Sequence, residues 1–320
     1  MGMLRGIDAA ASGMIANQAR QEAITNNLAN VNTPGYKADD SVYRSFPELL
    51  LERIHDTSNV AGMPAFPGGR SPIGQLSYGV YNQELVPNFV QGSLVETGKP
   101  LDIALSDENL APVYVQQNGT PIPPGQVRNG VPPQGARQVQ PKIFFAVQTV
   151  DEKGQPQVSY TRNGNWTMDA NGMLATPEGH PVLGANGQTV NLRALLGGLP
   201  LDSKNLQVTG TGQLIVPGST APPVQLRLVK INNPDMQLVK QADTTFRYTG
   251  PAGQGQPPAY NPAVDGEISI KQGFIERSNV DAGRSMIDML NVMRSYEANQ
   301  KVLSAYDTTL QKLNEVGRIG

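Results

Sequence analysis

The ends of the chain, rather than its middle, most constrain how it can fold, because both ends carry the periodicity of a long helix. From Leu4 to Met14, apolar residues recur at steps of three and four, which places them on one face of an α-helix. The stripe continues over 18–25 in polar form and closes at Leu28. A helix over 3–29 would present a thin, small-residue face that buries little surface by itself. It could therefore pack on its own domain, or it could pair with a second helix.

Residues 276–320 predict that second, longer helix. Ser278-Asn279-Val280-Asp281 fits the [ST]-x-x-[DE] pattern of a helix start, and Gly317 is a suitable stop. At 1.5 Å per residue such a helix would be about 50 Å long, well beyond the usual length of a globular helix. Its apolar stripe has steps of three or four and one polar gap near Gln300. The stripe consists of Met286, Met289, Met293, Tyr296, Leu303, Tyr306, Leu310 and Leu313.

The middle of the chain, 86–275, has the composition and the turns of a β domain. The chain holds 34 glycines and 26 prolines among its 320 residues. This share is well above the average combined usage of the two residues, which is about 12%. Asn-Gly pairs between apolar runs are typical of hairpins, and 142–150 and 189–195 are among the runs that we predict to be strands. We therefore predict an α+β fold, with long N- and C-terminal helices and a central all-β domain of hairpins and short strands.

These patterns divide the chain into four segments. The first, 1–37, holds the N-terminal helix and an asparagine-rich turn, and it forms one helical domain together with the C-terminal helix in 276–320. An extended linker over 38–85 precedes the β-rich domain of 86–275. That domain carries an insertion at 116–141, which is rich in Pro, Gly, Gln and Asn and has no apolar periodicity.

Charge and cysteine content exclude several classes of protein. The formal net charge is −2, and phosphate binding needs clustered Lys and Arg, so no nucleic acid partner is expected. The chain has no cysteine, which excludes disulfides and thiolate catalysis. No apolar run reaches the length of a membrane span, and the N-terminus lacks the apolar core of a secretory signal peptide. We expect a protein that is either cytoplasmic or exported without a cleaved signal peptide.

The sequence offers no recognisable catalytic, metal or cofactor site. Its two histidines, His55 and His180, have no partners at motif spacing, and Trp166 is best read as a strand residue that covers the core. We therefore expect no enzyme activity, no cofactor, no metal and no small-molecule ligand. The alternative is a β-rich carbohydrate-binding or hydrolytic domain with helical tails.

The stretch from Asn26 to Lys37, NNLANVNTPGYK, places four asparagines where the first helix ends. Asparagine is a poor helix former, so the four require a reason. Thr33-Pro34-Gly35 stops the helix, because the residue before proline is pushed out of the α conformation and Pro-Gly suits a type II turn. Asn30 and Asn32 can satisfy the backbone groups freed at that turn. Local capping accounts for one or two of the four asparagines.

The same stretch resembles the N-terminal signature of the bacterial flagellar rod, hook and hook-associated axial proteins. The pattern is Asn-apolar-Ala-Asn-x-Asn-Thr-Pro-Gly-aromatic. Residues 91–105, 160–184 and 272–319 are similar to three further stretches of that family, in the same order. The resemblance covers most of the chain and is closest to the distal rod type. The residues that match the N-terminal motif are Asn27, Leu28, Ala29, Asn30, Asn32, Thr33, Pro34, Gly35 and Tyr36.

The resemblance implies a structural subunit of the flagellar basal-body rod. The terminal helices would pair as an antiparallel coiled coil in an inner domain, and the β domain would lie outside. A non-closing interface would then build a helical tube that transmits torque to the hook and encloses the export channel. The implied residues of C-terminal helix packing are Ser278, Asn279, Val280, Met286, Met289, Met293, Tyr296, Glu297, Asn299, Leu303, Leu310 and Leu313.

The resemblance also implies the partners and the location. The partners would be copies of this chain, other rod and hook subunits, and the flagellar type III export apparatus. The location would be the basal body of the bacterial flagellum, outside the cytoplasmic membrane. Neutral amides such as those of the asparagine-rich turn suit a subunit interface, because they form hydrogen bonds without burying charge.

Overall fold

The computed structural model describes residues 2–45, 49–53, 71–76, 80–107, 109–116, 120–122, 126, 133–151, 153–202, 205–219, 221–241, 244–250, 256–261 and 268–318. The chain divides into two compact units. The helical unit comprises 1–28, 39–86 and 282–320, and the β unit comprises 29–38 and 87–281. The predicted α+β fold, with a helix at each end and a β-rich middle, is confirmed. None of the helices in the described part of the chain is long and apolar enough to cross a membrane.

The helical unit contains the two long helices and two pairs of strands. Helix α1 spans Gly2–Ala29 and helix α4 spans Ala282–Gly317. We expected an extended linker over 38–85, but this segment also forms strands. Valine and tyrosine favour β-structure. Two of these strands contain Val42, Tyr43, Val80 and Tyr81, which accounts for their pairing with each other. The strands are β1 (Asp39–Ser45) paired with β4 (Val80–Pro87), and β2 (Leu49–Arg53) paired with β3 (Ser71–Leu76).

Helices α1 and α4 contact each other at two glycines of α1. Gly6 lies against the ring of Tyr306, so closely that an added Cβ would overlap it. An added Cβ at Gly13 would lie 2.9 Å from Nδ2 of Asn299. The residue numbers rise along α1 as they fall along α4, so the helices run antiparallel. The two contacts are one heptad apart on both helices, and glycine permits the close approach because it has no side chain.

A five-stranded antiparallel sheet is the centre of the β unit. Its order is β16 (Leu228–Ile231), β9 (Lys142–Val150), β10 (Pro156–Thr161), β18 (Thr245–Tyr248) and β17 (Leu238–Lys240). Short pairs and one three-stranded sheet complete the unit. They are β5 (Leu94–Glu96) with β20 (Phe274–Glu276), β6 (Ile103–Ser106) with β19 (Ser269–Gln272), β7 (Val113–Val115) with β8 (Arg137–Val139), β11 (Thr167–Met168) with β12 (Leu174–Ala175), and β13 (Gln207–Val208), β14 (Gln213–Ile215) and β15 (Val224–Gln225).

Strand β9 separates two apolar cores, because successive side chains of a strand point to opposite faces. Phe145 belongs to the larger core, where it makes an edge contact with Trp166 at 4.6 Å between ring centroids. Phe144 belongs to the smaller core, beside Phe89 and Phe246. The predicted strand 142–150 is confirmed. Trp166 is buried in the larger core as predicted, but it directly precedes β11 and is not a strand residue.

Two further local predictions differ from the structure. The run 189–195, predicted as a strand, contains the short helix α2 (Leu192–Leu196), because Asn191 Oδ1 accepts the N–H of Ala194 and Gly197 ends the helix in the left-handed conformation. A further short helix, α3, spans Pro234–Gln237. Helix α4 begins at Ala282 rather than at Ser278, because the intervening segment is held by the contacts described next.

Candidate assembly site

Asn27, near the end of α1, closes the asparagine-rich turn on the strand that follows it. Its Oδ1 accepts the backbone N–H of Asp39 at 2.8 Å, and its Nδ2 donates to the carbonyl of Asp39 at 2.9 Å. Both residues lie in the helical unit and are buried. The Asn27 amide thus replaces a backbone peptide group, which an apolar side chain of the same size could not do.

A second asparagine caps the turn itself. The backbone N–H of Thr33 donates to the carbonyl of Asn30, and the Thr33 hydroxyl donates to Asn30 Oδ1, both at 3.1 Å. Asn26 and Asn32 are exposed. Asn27 and Asn30 thus make local hydrogen bonds at the end of α1 and in the turn, and a role of the motif in contacts between subunits stays a prediction.

Gly35 and Tyr36 anchor the rest of the motif in the β unit. Gly35 has φ of +68°, and an added Cβ would overlap the backbone nitrogen of Asn163, so only glycine fits. Its N–H donates to the carbonyl of Glu276 at 2.8 Å. The ring of Tyr36 is buried beneath the ammonium of Lys240, which lies 3.8 Å from the ring centroid.

Asn279, from the C-terminal signature, binds the segment that follows the N-terminal motif. Its Oδ1 accepts the N–H of Ala38 at 2.8 Å, and its Nδ2 donates to the carbonyls of Asn88 at 2.7 Å and Val90 at 3.1 Å. Asn88 in turn donates its N–H to the carbonyl of Ala38 at 2.7 Å. We call these three joined segments, 35–38, 88–92 and 276–279, the clasp.

A buried group of charged side chains lies under the clasp, and we call it the ion cluster. Lys37 Nζ is 2.6 Å from Glu276 Oε1, and Arg162 Nε is 2.9 Å from Glu276 Oε2. Arg162 Nη1 is 3.0 Å from Asp107 Oδ2, and Lys142 Nζ is 3.1 Å from Asp107 Oδ1. Three cations therefore face two carboxylates, and the side chains of Lys37, Glu276 and Arg162 are each 1% exposed.

Backbone groups complete the hydrogen bonds of the ion cluster. Gly92 donates its N–H to Glu276 Oε1 at 3.0 Å, and Arg162 Nη1 donates to the carbonyl of Ile143 at 2.7 Å. A buried ion pair offsets its desolvation only when such additional bonds are present. The cluster thus fixes one arrangement of six places in the chain, at 37, 92, 107, 142–143, 162 and 276.

The shifts of pKa in the ion cluster reflect burial and the surplus of cations. Burial lowers the pKa of Lys37 to about 8, although the Glu276 carboxylate favours the charged ammonium. Burial alone would raise the pKa of Glu276, but Arg162 and Lys37 hold it below its usual range. The same balance, with Arg162 and Lys142 as the cations, keeps the pKa of Asp107 below its usual range.

The C-terminal helix residues divide into a covered and an exposed set. Ser278 Oγ accepts the N–H of Val280 at 3.3 Å and so caps a turn before the helix. In α4 itself Glu297 is exposed, and Met286, Met293 and Leu313 are 56%, 45% and 59% exposed. Apart from Ala282 and Asp288, the half-buried positions of α4 and Val292 follow one another at alternating steps of four and three, and Val292 is the most buried residue of the helix at 3% exposure. The half-buried positions of this series are Ser285, Met289, Tyr296, Asn299, Leu303, Tyr306 and Leu310.

Sequence reasoning missed the residues that carry most of the charge at this site. Lys37, Glu276, Arg162 and Asp107 were not singled out, and neither was Val292. A signal was present for three of them, because Lys37, Arg162 and Glu276 lie in or directly beside the family-like stretches. In the described ranges no three His, Asp or Glu side chains are grouped to hold a metal ion. His55 lies outside those ranges, and His180 is half-buried in a turn.

Three family models match this chain, and two of them include segments of the clasp. The model of the flagella basal body rod protein matches 7–37, that of the flagellar hook protein FlgE/F/G D1 domain matches 139–232, and that of the flagellar basal body rod FlgEFG protein C-terminal matches 271–316. Lys37 thus belongs to the first match, Arg162 to the second, and Glu276 and Asn279 to the third.

Curated relatives align along the whole chain. The flagellar hook-basal body complex protein FlhO of Bacillus subtilis (strain 168) is 35% identical over 320 residues, which covers 99% of this chain and 100% of that protein. The flagellar basal-body rod protein FlgG of Buchnera aphidicola subsp. Acyrthosiphon pisum is 27% identical, with 95% and 96% covered. FlgG of Bacillus subtilis (strain 168) is 26% identical, with 99% and 100% covered.

Proposed function

This chain belongs to the flagellar basal-body rod and hook protein family, and we propose that it is a structural subunit of the rod, of the distal type. The clasp is the observation that carries the proposal. It joins the two signatures by which the family is recognised, through the hydrogen bonds of Asn279 to Ala38 and of Gly35 to Glu276. These bonds and the ion cluster are suited to carrying load.

The two long helices pair as an antiparallel coiled coil in this proposal. The contacts of Gly6 with Tyr306 and of Gly13 with Asn299 fix the register. Continued by one heptad, that register sets position 20 opposite Val292, the most buried residue of α4. The covered positions of α4 recur at alternating steps of four and three residues, which is the spacing of contact positions in such a coiled coil.

The exposed apolar residues of α4 then serve contacts with neighbouring copies. Met286, Ile287, Leu290 and Met293 are each between 45% and 61% exposed and lie within two turns of the helix. A concentration of exposed apolar side chains is typical of a surface that another protein covers. Copies related by a non-closing operation would bury these side chains and build a helical tube.

An exposed amide of the asparagine-rich turn contributes to the same interfaces. Asn32 presents a neutral hydrogen-bonding group at the surface, and such a group can be covered by a neighbour without burying charge. The tube formed in this way transmits torque to the hook and encloses the export channel. The chain itself reaches the rod through the flagellar export apparatus and acts outside the cytoplasmic membrane.

Two matched double substitutions on the exposed side of α4 test the proposal. In a strain that lacks this chain, Met286→Glu with Met293→Glu should give a folded, exported protein but no rod beyond the point of its insertion. Gln300→Glu with Asn314→Glu adds the same charge at exposed polar positions of the helix and should restore motility. Full motility with the first pair would contradict assembly through this surface.

A further inference from the structure

A polar cleft of about 710 Å³ lies on the β unit, and no clasp residue is part of its lining, although Lys240 both lines the cleft and donates to the carbonyl of Lys37. Strands β9, β10, β17 and β18 form its floor, through Thr149, Gln157, Val239 and Thr245, and Gln241 directly follows β17. Neither the helices nor the ion cluster contributes to its lining. The assembly role proposed above therefore does not account for it.

The floor of the cleft is built from buried hydroxyl and amide groups. The hydroxyls of Thr149 and Ser159 are hydrogen-bonded at 2.6 Å, and Ser159 Oγ donates to Gln241 Oε1 at 2.8 Å. Ser159 is fully buried and Thr149 is 6% exposed. Two residues before Thr149, on the same face of β9, Val147 belongs to the apolar core. At the end of the sheet where the cleft opens, polar side chains thus take the place of apolar core residues. Buried hydroxyls stabilise a fold less than apolar packing does, so stability alone does not explain these polar groups.

The walls of the cleft are positively charged. Lys153 and Arg247 line it and are exposed. The carboxylate of Asp151 also lines it, but its Oδ1 accepts the backbone N–H groups of Lys153 at 2.8 Å and Gln155 at 2.9 Å. A ligand would therefore meet guanidinium and ammonium donors above a floor of hydroxyl and amide groups.

We propose that this cleft binds an acidic polypeptide segment, whose carboxylates pair with Arg247 and Lys153. A guanidinium binds a carboxylate through two parallel hydrogen bonds, and complementary charge selects the partner. Val150 and Val239, which are 67% and 45% exposed at the cleft, offer apolar contacts to the neighbouring side chains of the segment. Only the source of the segment, another axial subunit, rests on the proposed function.

Titration of the full-length, isotope-labelled chain with a capped hexaglutamate peptide tests this site. We expect the amide resonances of Gln157, Gln241 and Arg247 to shift, and a capped hexaserine peptide to leave them unmoved. Lys153→Gln with Arg247→Gln should weaken binding by at least about tenfold, because two charge-assisted contacts are lost. The control pair Arg193→Gln with Lys271→Gln removes the same charge from exposed positions outside the lining and should bind as the wild type does.

Three results would overturn the proposal. They are an absence of shifts at these residues, equal binding of hexaglutamate by both double variants, and tighter binding of polygalacturonate, an acidic polysaccharide, than of the peptide. None of them would bear on the rod assignment, which is tested by motility and by substitutions in α4. Motility of a strain that lacks this chain would contradict the rod assignment. It would not contradict the proposal that the cleft binds an acidic segment.

Discussion

The ammonium of Lys37 lies 2.6 Å from the carboxylate of Glu276, although 239 positions separate the two residues in the chain. Lys37 is the last residue of the N-terminal stretch that resembles the family, and Glu276 lies near the start of the C-terminal stretch, 272–319. The pair is nearly inaccessible to solvent, and the same Glu276 carboxylate also binds Arg162. Removing the charge of either Lys37 or Glu276 should therefore lower the free energy of unfolding strongly, and by different amounts.

Glu276→Gln should destabilise the β unit more than Lys37→Met does. The first change leaves Lys37, Arg162 and Lys142 with one carboxylate, whereas the second leaves two cations and two carboxylates. Removing one partner of a buried ion pair, so that the other charge stays buried without compensation, typically lowers the free energy of unfolding by about 3–5 kcal/mol. Urea unfolding followed by Trp166, the only tryptophan of the chain, measures both values in the β unit. Lys271 is an exposed cation of the same unit. As a control, Lys271→Gln should change the free energy of unfolding by less than about 0.5 kcal/mol. Equal losses for the two cluster variants would contradict the surplus of buried cations.

Acid should destabilise the β unit through the two carboxylates of the ion cluster. The pKa values of Glu276 and Asp107 lie below the ordinary 4.5 and 3.8. Their stabilising contribution is fully present above those values and is lost as the pH falls through the lower pKa values of the folded state. Glu276→Gln should flatten the decline of the urea midpoint below about pH 4.5. A decline of unchanged steepness would assign the acid sensitivity to other groups.

Lys37 should make the β unit more stable as the pH rises above neutrality. Its pKa in the folded chain is about 8, against 10.5 in the unfolded chain, so between these values the unfolded chain binds the extra proton and stability rises with pH. Tyr160 does not mask this rise below about pH 10, because burial raises its pKa from 10.0 to about 12. Lys37→Met should abolish the rise in the Trp166-detected urea midpoint, and persistence of the rise would attribute it to another group.

Gly35→Ala should destabilise the clasp far more than Gly154→Ala. Both glycines have positive φ, at +68° and +77°, but an added Cβ at Gly154 meets no atom within 4 Å, whereas at Gly35 it overlaps the backbone of Asn163. Gly154→Ala should therefore cost only the backbone strain of about 1 kcal/mol. Thermal unfolding of the two variants separates strain from overlap, and similar losses would argue against a tight Gly35 contact.

A disulfide can report the pairing of the two long helices, because the chain has no cysteine of its own. Gly13→Cys with Asn299→Cys should form an intramolecular disulfide on mild oxidation, since these positions are in contact. Gly13→Cys with Gln300→Cys moves the second thiol to an exposed position of α4 and should stay reduced in the monomer. Oxidation of both pairs to the same extent would mean that the register is not fixed.

The sequence predicted the elements of this fold better than the contacts between them. Apolar periodicity located both long helices and strand β9, because each follows one local rule. The run 189–195 was misassigned because a capping hydrogen bond from Asn191 and the left-handed Gly197 outweighed a strand-like composition. Val292, the most buried residue of α4, was not predicted because Met286, Met289, Met293 and Tyr296 form an equally regular apolar stripe, although Met286 and Met293 are exposed.

The clasp could be predicted as a motif but not as a structure. Periodicity carries no information on which distant segments meet, so the pairing of Asn27 with Asp39 and of Asn279 with Ala38 could not be read from either stretch alone. Buried charges are a still harder case. Lys37 and Glu276 look like surface residues until their partners are known, since charged side chains are rarely buried without one.

The central claim is that this chain is a structural subunit of the flagellar rod, and electron cryomicroscopy of purified hook–basal bodies tests it most directly. Basal bodies from the parent strain should contain this chain in the rod, with α1 and α4 antiparallel in the wall of the tube. A strain lacking the chain should give rods that stop short and carry no hook. Complete rods and hooks in that strain, or purified basal bodies without this chain, would contradict the account.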